Sequence, residues 1–219
     1  MILYGNILVD KKKQNKKGEV KMKKYELIEE GNLFRLRALK DFGSIVKGEL
    51  GGLVEGEHNL SQKGNCWIYY NARVYDNVEV YGNAKVSGIA QLFENAKVFG
   101  NAQVFDYAKV YGNAIVGGNT EVYGNAIVSD NAQVFGYAEV FENAEVYGYA
   151  EVYSCAIVYG NAKVYGNAEV FGEAQVYGKA LIFGNAQVGE NAEVYGSAQV
   201  YGYAEVFGYA KVYDNAKIS

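Results

Sequence analysis

From Val74 to Ile218 every sixth residue is Val, Leu or Ile, without an insertion or a deletion. A fixed period held over about 150 residues marks a repeat architecture, because each unit must meet its neighbours in the same way. The unit reads Val-Tyr/Phe-Gly-Asn-Ala-x, as in Val110-Tyr111-Gly112-Asn113-Ala114-Ile115 and Val164-Tyr165-Gly166-Asn167-Ala168-Glu169. With the aliphatic residue as i, a small residue recurs at i−2 and i+4. Residues two apart on an extended chain share a face. Ala-x-Val is therefore a short strand with Ala and Val inward and x outward. Tyr-Gly-Asn then turns the corner, Gly and Asn being the residues that best accept φ > 0. Three units close a triangular coil of about 18 residues, and stacked coils pair as parallel strands about 4.8 Å apart. Residues 66–219 make about eight and a half such coils, a prism about 40 Å long.

This unit resembles the hexapeptide repeat of the left-handed parallel β-helix superfamily, whose pattern has an aliphatic residue at i and Ala, Ser, Thr or Val at i+4. At i+1 that family often has Gly, whereas here the position is mostly Tyr or Phe. The fold expected from the period and the resemblance is all-β: a single-stranded left-handed parallel β-helix with a small N-terminal β cap. The hand is taken from the resemblance, since general crossover rules favour the right hand.

Three segments are expected. Residues 1–22 are a basic tail containing Lys11-Lys12-Lys13-Gln14-Asn15-Lys16-Lys17, too polar to pack. Gly18-Glu19-Val20 can be encoded by a ribosome-binding sequence just before the Met22 codon, so Met22 is a candidate start. Residues 23–65 are the cap, with strands near Tyr25–Ile28 and Leu33–Leu39 and then a glycine-rich loop. Residues 66–219 are the repeats. Gly51-Gly52, Leu60-Ser61-Gln62 and Cys66-Trp67-Ile68-Tyr69 are similar to the head of the YdcK-like proteins of bacteria, phages and prophages. That resemblance implies a transferase label, which rests on fold and carries little chemistry by itself. Trp67, outward at i−1, is read as the anchor on which the cap packs; ligand stacking is the functional alternative.

The formal charge is −4. Residues 1–24 hold eight Lys against Asp10 and Glu19, a net +6, so the remainder carries −10 (−4 minus +6). An acidic body disfavours general nucleic-acid binding. No apolar run is long enough for a membrane span and no signal-peptide core is present, so the expected location is the cytoplasm. Cys66 falls on an inward site and Cys155 on a corner, about five coils apart, too far for a disulfide.

By resemblance, enzymes of this superfamily use a His base at a coil surface or extruded loop, or bind Zn through three His. The one His here, His58, precedes the repeats, and the repeats extrude no loop. No His/Cys cluster has ligand spacing. The expected catalytic, metal and cofactor sets are therefore empty. The leading reading is a non-catalytic solenoid that presents aromatic and charged ladders to a protein or ligand. The alternatives are an acyltransferase-like enzyme, and a phage-encoded decoy that binds a host protein or a small signalling molecule. The i+1 aromatics should stack in three ladders, interrupted at Ser87, Gly117, Ser129 and Gly189. Near the last coil Tyr201, Tyr203, Phe207, Tyr209 and Tyr213 are the candidate partner contact, sealing an end-to-end homodimer; the rival assembly is a side-by-side trimer.

Overall fold

The computed structural model describes residues 22–219; the expected basic tail lies outside the described residues apart from Met22. The repeats form a parallel β-solenoid of about 9 coils at 18 residues per turn. Each unit contributes a two-residue strand such as Lys109–Val110 or Glu139–Val140. These strands stack in register into three sheets, which hold 12, 9 and 8 strands once the three cap strands at the edge of the first are included. The inward residues Val110, Ala114, Val140 and Ala144 are fully buried, as are their equivalents along the shaft up to Val200, while in the last coil Ala210 and Ile218 are exposed; the x residues face outward. One inward site carries a hydroxyl: Thr120 is fully buried, and its Oγ1 has no protein hydrogen-bond partner.

The corner has a different origin from the one the sequence suggests. In the turn from Tyr111 to Ala114, the Ala114 N–H donates to the Tyr111 carbonyl at 3.4 Å and Gly112 has φ +72°. The Asn that follows is not left-handed; the first turn residue alone takes positive φ. At several acidic positions the side chain also bonds to the next coil, which offsets the strain. Asp106, Asp130 and Glu190, each at φ +58°, accept the backbone N–H of Gly124, Gly148 and Gly208 in the next coil at 3.3, 3.1 and 2.8 Å. The Asn amides bond along the axis instead, as in the run Asn77, Asn95, Asn113 and Asn131 at 3.1 Å per step.

The bonds between coils have a direction. The N–H of the x residue, of the ring residue and of the corner residue each donate to a carbonyl of the following coil, as in Arg73 to Ala90, Tyr75 to Leu92 and Asn77 to Glu94 at 2.9, 3.0 and 2.8 Å. The N-terminal side of a coil is thus rich in carbonyls and the C-terminal side in N–H groups.

The cap is built to meet that carbonyl side. Strands β1 (Tyr25–Glu30) and β2 (Leu33–Ala38) form an antiparallel hairpin, and β2 pairs with β3 (Leu50–Val54). Strand β3 then runs parallel to the first rung, Val54 beside Val74, and Leu60 bridges to Val80. Coiling therefore begins inside the segment expected to be a separate head. Ser61–Asn65 adds two residues to that coil and hides its period. Gly51 and Gly52 allow the approach: a Cβ on Gly51 would sit 2.7 Å from the Trp67 ring and the Ile68 carbonyl. Carbonyls left without a coil beneath them are taken by side chains. Asn59 Nδ2 donates to Asp76 and Val78 at 2.9 and 3.1 Å, and His58 Nε2 lies 2.6 Å from the Asp76 oxygen. Lys24 Nζ reaches the Cys66 carbonyl at 3.0 Å, and Arg35 Nη1 reaches the Tyr70 carbonyl at 3.1 Å. Among the described residues no helix is long and apolar enough to cross a membrane.

Two pairs of substitutions test this account by chemical denaturation. Val140→Asp places an unpaired charge in the core and should cost about 4 kcal/mol or more. Glu139→Lys, one residue away and outward, should change stability by about 0.5 kcal/mol, as surface changes do. Asn59→Ala strips the carbonyl cap and should cost about 3 kcal/mol, against about 0.5 kcal/mol for Asn77→Ala on the exposed ladder.

Candidate aromatic ladders and corner tyrosines

The ring residue follows the inward Val, so its side chain leaves the prism at a corner. In-register stacking then places each ring over the ring of the coil below. Tyr147 and Tyr165 lie 5.0 Å apart at 0°, and Phe105 and Tyr123 lie 4.8 Å apart at 3°. On one corner the stack continues from Phe105 to Tyr213 through Tyr123, Phe141, Tyr159, Tyr177 and Tyr195. Ring faces are spent on each other and edges point outward, so the ladders mainly cover the turn backbone.

The outward x column reinforces them. Tyr153, Tyr177 and Tyr123 donate their hydroxyls to Glu169, Glu193 and Glu139 at 3.0, 3.3 and 3.5 Å. Burial first, then the neighbouring carboxylates, pushes the Tyr153 and Tyr177 phenols up to about 12. Tyr123, Tyr147 and Tyr159 shift the same way, with burial as the leading cause. Opposite charges also pair rung to rung, as Lys163–Glu145 at 2.9 Å and Lys211–Glu193 at 2.8 Å. Glu121 beside Glu139 and Glu151 beside Glu169 set like charges on adjacent rungs, which costs stability.

The residues expected at a partner contact lie near the C-terminal rungs but do not form one patch. Tyr201 stacks on Phe183 at 5.1 Å, Phe207 tilts against Phe171 at 5.7 Å and 54°, and Tyr213 stacks on Tyr195 at 5.4 Å. They stand on three different corners. Tyr203 and Tyr209 are corner residues with no ring contact and are each 83% exposed. The same corner position holds Tyr107, Tyr137 and Tyr149 higher on the shaft, all at least 60% exposed. Tyr107 was equally legible, since it too replaces the Asn of its unit.

Other candidate groups are engaged or closed. Trp67 is fully buried, edge-on to Tyr25 at 6.3 Å and to Phe42 at 5.3 Å; no face is left for a ligand. Cys66 is buried with Lys24 Nζ 3.3 Å from its sulfur, and burial raises its thiol and lowers the Lys24 ammonium. Cys155 is free on an exposed corner. His58 is held against the Asp76 carbonyl. Among the described residues no group of three or more His, Cys, Asp or Glu could hold a metal ion.

The YdcK Beta solenoid repeat family matches residues 174–190, within the shaft. The chain is also similar to a protein of Escherichia coli (strain K12) named "Uncharacterized acetyltransferase YdcK", 36% identical over 62 residues, or 22% of this chain and 19% of that protein. The match thus spans about a fifth of the relative's length. With the parallel β-solenoid, these findings are consistent with the hexapeptide-repeat superfamily.

The tyrosines give the protein an alkaline limit. Their folded values lie above the ordinary phenol value near 10, so the stability they contribute is whole below about pH 10 and is lost as pH rises towards 12. Lys24 acts in the opposite sense, its lowered value favouring the fold as pH rises, but it stands alone against several tyrosines. Titration followed by tyrosinate absorbance and circular dichroism should show delayed ionisation ending in cooperative unfolding over that window. Ionisation at the free-tyrosine value with the fold intact would refute the coupling.

Proposed function

We propose that this protein is a non-catalytic binding solenoid that docks a protein partner through its corner tyrosines. One observation carries this reading: five units replace the ladder-forming Asn with a Tyr at least 60% exposed. Each exchange gives up an amide bond along the axis and gains nothing inside the prism. Exposed, rigid aromatics are the usual anchors of protein contacts. The charged x columns supply the polar surround. The free, exposed Cys155 accords with a reducing compartment such as the cytoplasm.

The first partner to test is a second copy. The direction of the inter-coil bonds bears on its geometry. A two-fold contact between C-terminal rungs would set N–H groups against N–H groups, so it gains little from backbone pairing. A side-by-side contact through the corners has no such conflict. The name of the Escherichia coli relative supports a second reading, an acetyltransferase. Against it stands His58, whose ring nitrogen is already committed to the Asp76 carbonyl.

Light scattering of the unmodified protein and of a Tyr137→Asn, Tyr149→Asn, Tyr203→Asn, Tyr209→Asn variant tests the docking reading. The variant restores the repeat consensus and should melt at or above the parent temperature. The expected result is an oligomer that falls to the monomer mass in the variant. An unchanged mass would remove self-association through these corners. Isothermal titration with acetyl-CoA should show no saturable heat; clear binding would favour the transferase.

A further inference from the structure

On the corner that leads from the 8-stranded sheet to the 9-stranded sheet, the amides of Asn83, Asn101 and Asn119 bond in series at 3.0 and 2.8 Å. The series stops at Tyr137 and does not resume among the described residues. The corner residues that follow are Cys155, Glu173, Asn191 and Tyr209. All are exposed, Tyr137 by 65% and Tyr209 by 83%. Tyr137 and Tyr209 stand 72 residues apart (209 minus 137), which is four coils of 18, or about 19 Å along the axis.

Between these two rings lies a groove of about 420 Å³, running from Cys155 and Ile157 past Glu173, Gln175 and Asn191 to Tyr209. Its polar groups are uncommitted. The side chains of Glu173, Gln175 and Asn191 have no hydrogen bond or ion pair among the described residues, and the Tyr209 ring has no ring contact. Glu193, also on the groove, is held by Lys211 and by the Tyr177 hydroxyl.

The charge around this corner is one-sided. The x columns on its two flanks, from Gln133 to Lys211, hold Glu139, Glu151, Glu169, Glu193 and Glu205 against Lys211 alone. The third column carries Lys163 and Lys217 against Glu145 over the same coils. Glu151, Glu173 and Glu205 have no cationic partner among the described residues. The shaft of a second copy would bring like charge to this corner.

We propose that this corner docks an extended basic segment of a partner protein, with one arginine in the groove. The inference rests on docking through the corner tyrosines, and it names the corner and the chemistry of the partner. The guanidinium meets the free Glu173 carboxylate, its remaining N–H groups reach the side-chain oxygens of Gln175 and Asn191, and the Tyr209 ring lies against it. The arginine stem covers Ile157. Tyr137 anchors the other end, at a span of about six extended residues. The flanking Glu columns draw a basic partner in and repel an acidic one.

Fluorescence anisotropy of a dye-labelled octapeptide of alternating Arg and Thr, titrated with the full chain in 150 mM salt, tests it. The peptide should bind saturably, one per chain, and the same peptide with Glu for Arg should not bind. The paired Tyr137→Asn, Tyr209→Asn variant and Glu173→Lys should each weaken binding about tenfold or more. The paired Tyr149→Asn, Tyr203→Asn variant alters a different corner and should leave binding unchanged. All these positions are exposed, so circular dichroism and melting should match the parent. Bound peptide should also slow alkylation of Cys155 about tenfold, the other thiol, Cys66, being buried. The proposal is overturned if no saturable binding appears up to about 1 mM peptide. Equal weakening by the two tyrosine pairs, binding that survives Glu173→Lys, or unchanged alkylation of Cys155 would overturn it equally. If the peptide fails while the oligomer still falls to monomer when the four tyrosines are replaced, docking through the corners stands and only the basic partner is lost.

Discussion

The structure depends on the direction of its inter-coil hydrogen bonds. Ala, Val and the turn residue point their carbonyls towards the N-terminal side, and x, ring and corner residues point their N–H groups the other way. A stack of identical coils satisfies this everywhere except at its two edges. Buried backbone groups must find partners, so the N-terminal edge requires donors. The cap supplies them in the side chains of Lys24, Arg35, His58 and Asn59, and in the N–H groups of β3. The rungs Glu205–Val206, Lys211–Val212 and Lys217–Ile218 stand at the opposite ends of the three sheets. Whatever adjoins that side, further chain or another molecule, must offer acceptors.

In a structure this regular, repetition accounts for stability and departures from it are where function can reside. Rings that stack face to face on all three corners have spent their binding surface on one another. The same holds for the amide ladders. The informative residues are those that weaken the lattice without repairing it. Tyr137, Tyr149, Tyr203 and Tyr209 interrupt amide ladders and project into solvent. A missing ring alone is not such a departure: at Gly117 and Gly189 the neighbouring Phe99 and Phe171 lean in.

Much of this was legible in the residues. The inward Ala and Val, the outward x column, the stacked rings and the Asn ladder follow from a period of six on an extended chain. The candidate site was legible in part, because the Tyr-for-Asn exchanges stand out against the repeat. Other features were hidden. Val54 and Leu60 already occupy coil positions, but the two extra residues in Ser61–Asn65 break the phase that would have shown it. The corner Asn looked like a left-handed residue, yet the preceding Gly or Asp absorbs all of the positive φ. Tyr201, Tyr203, Phe207, Tyr209 and Tyr213 are close in sequence but lie on different corners, because six residues carry the chain from one corner to the next.

The sequence by itself determined the period, and with it the coil, the core and the pairing register, because a strand that slips by one residue would turn every Val to solvent. Only the tertiary structure decided how interruptions of the ring ladders are closed. That outcome depends on whether a neighbouring ring, about 18 residues away in the chain, can lean across the gap without losing its own stack. It decided the role of the cap for the same reason. Lys24, His58 and Asn59 are unremarkable in sequence, and they acquire their partners only when the first coil brings its unmatched carbonyls within reach.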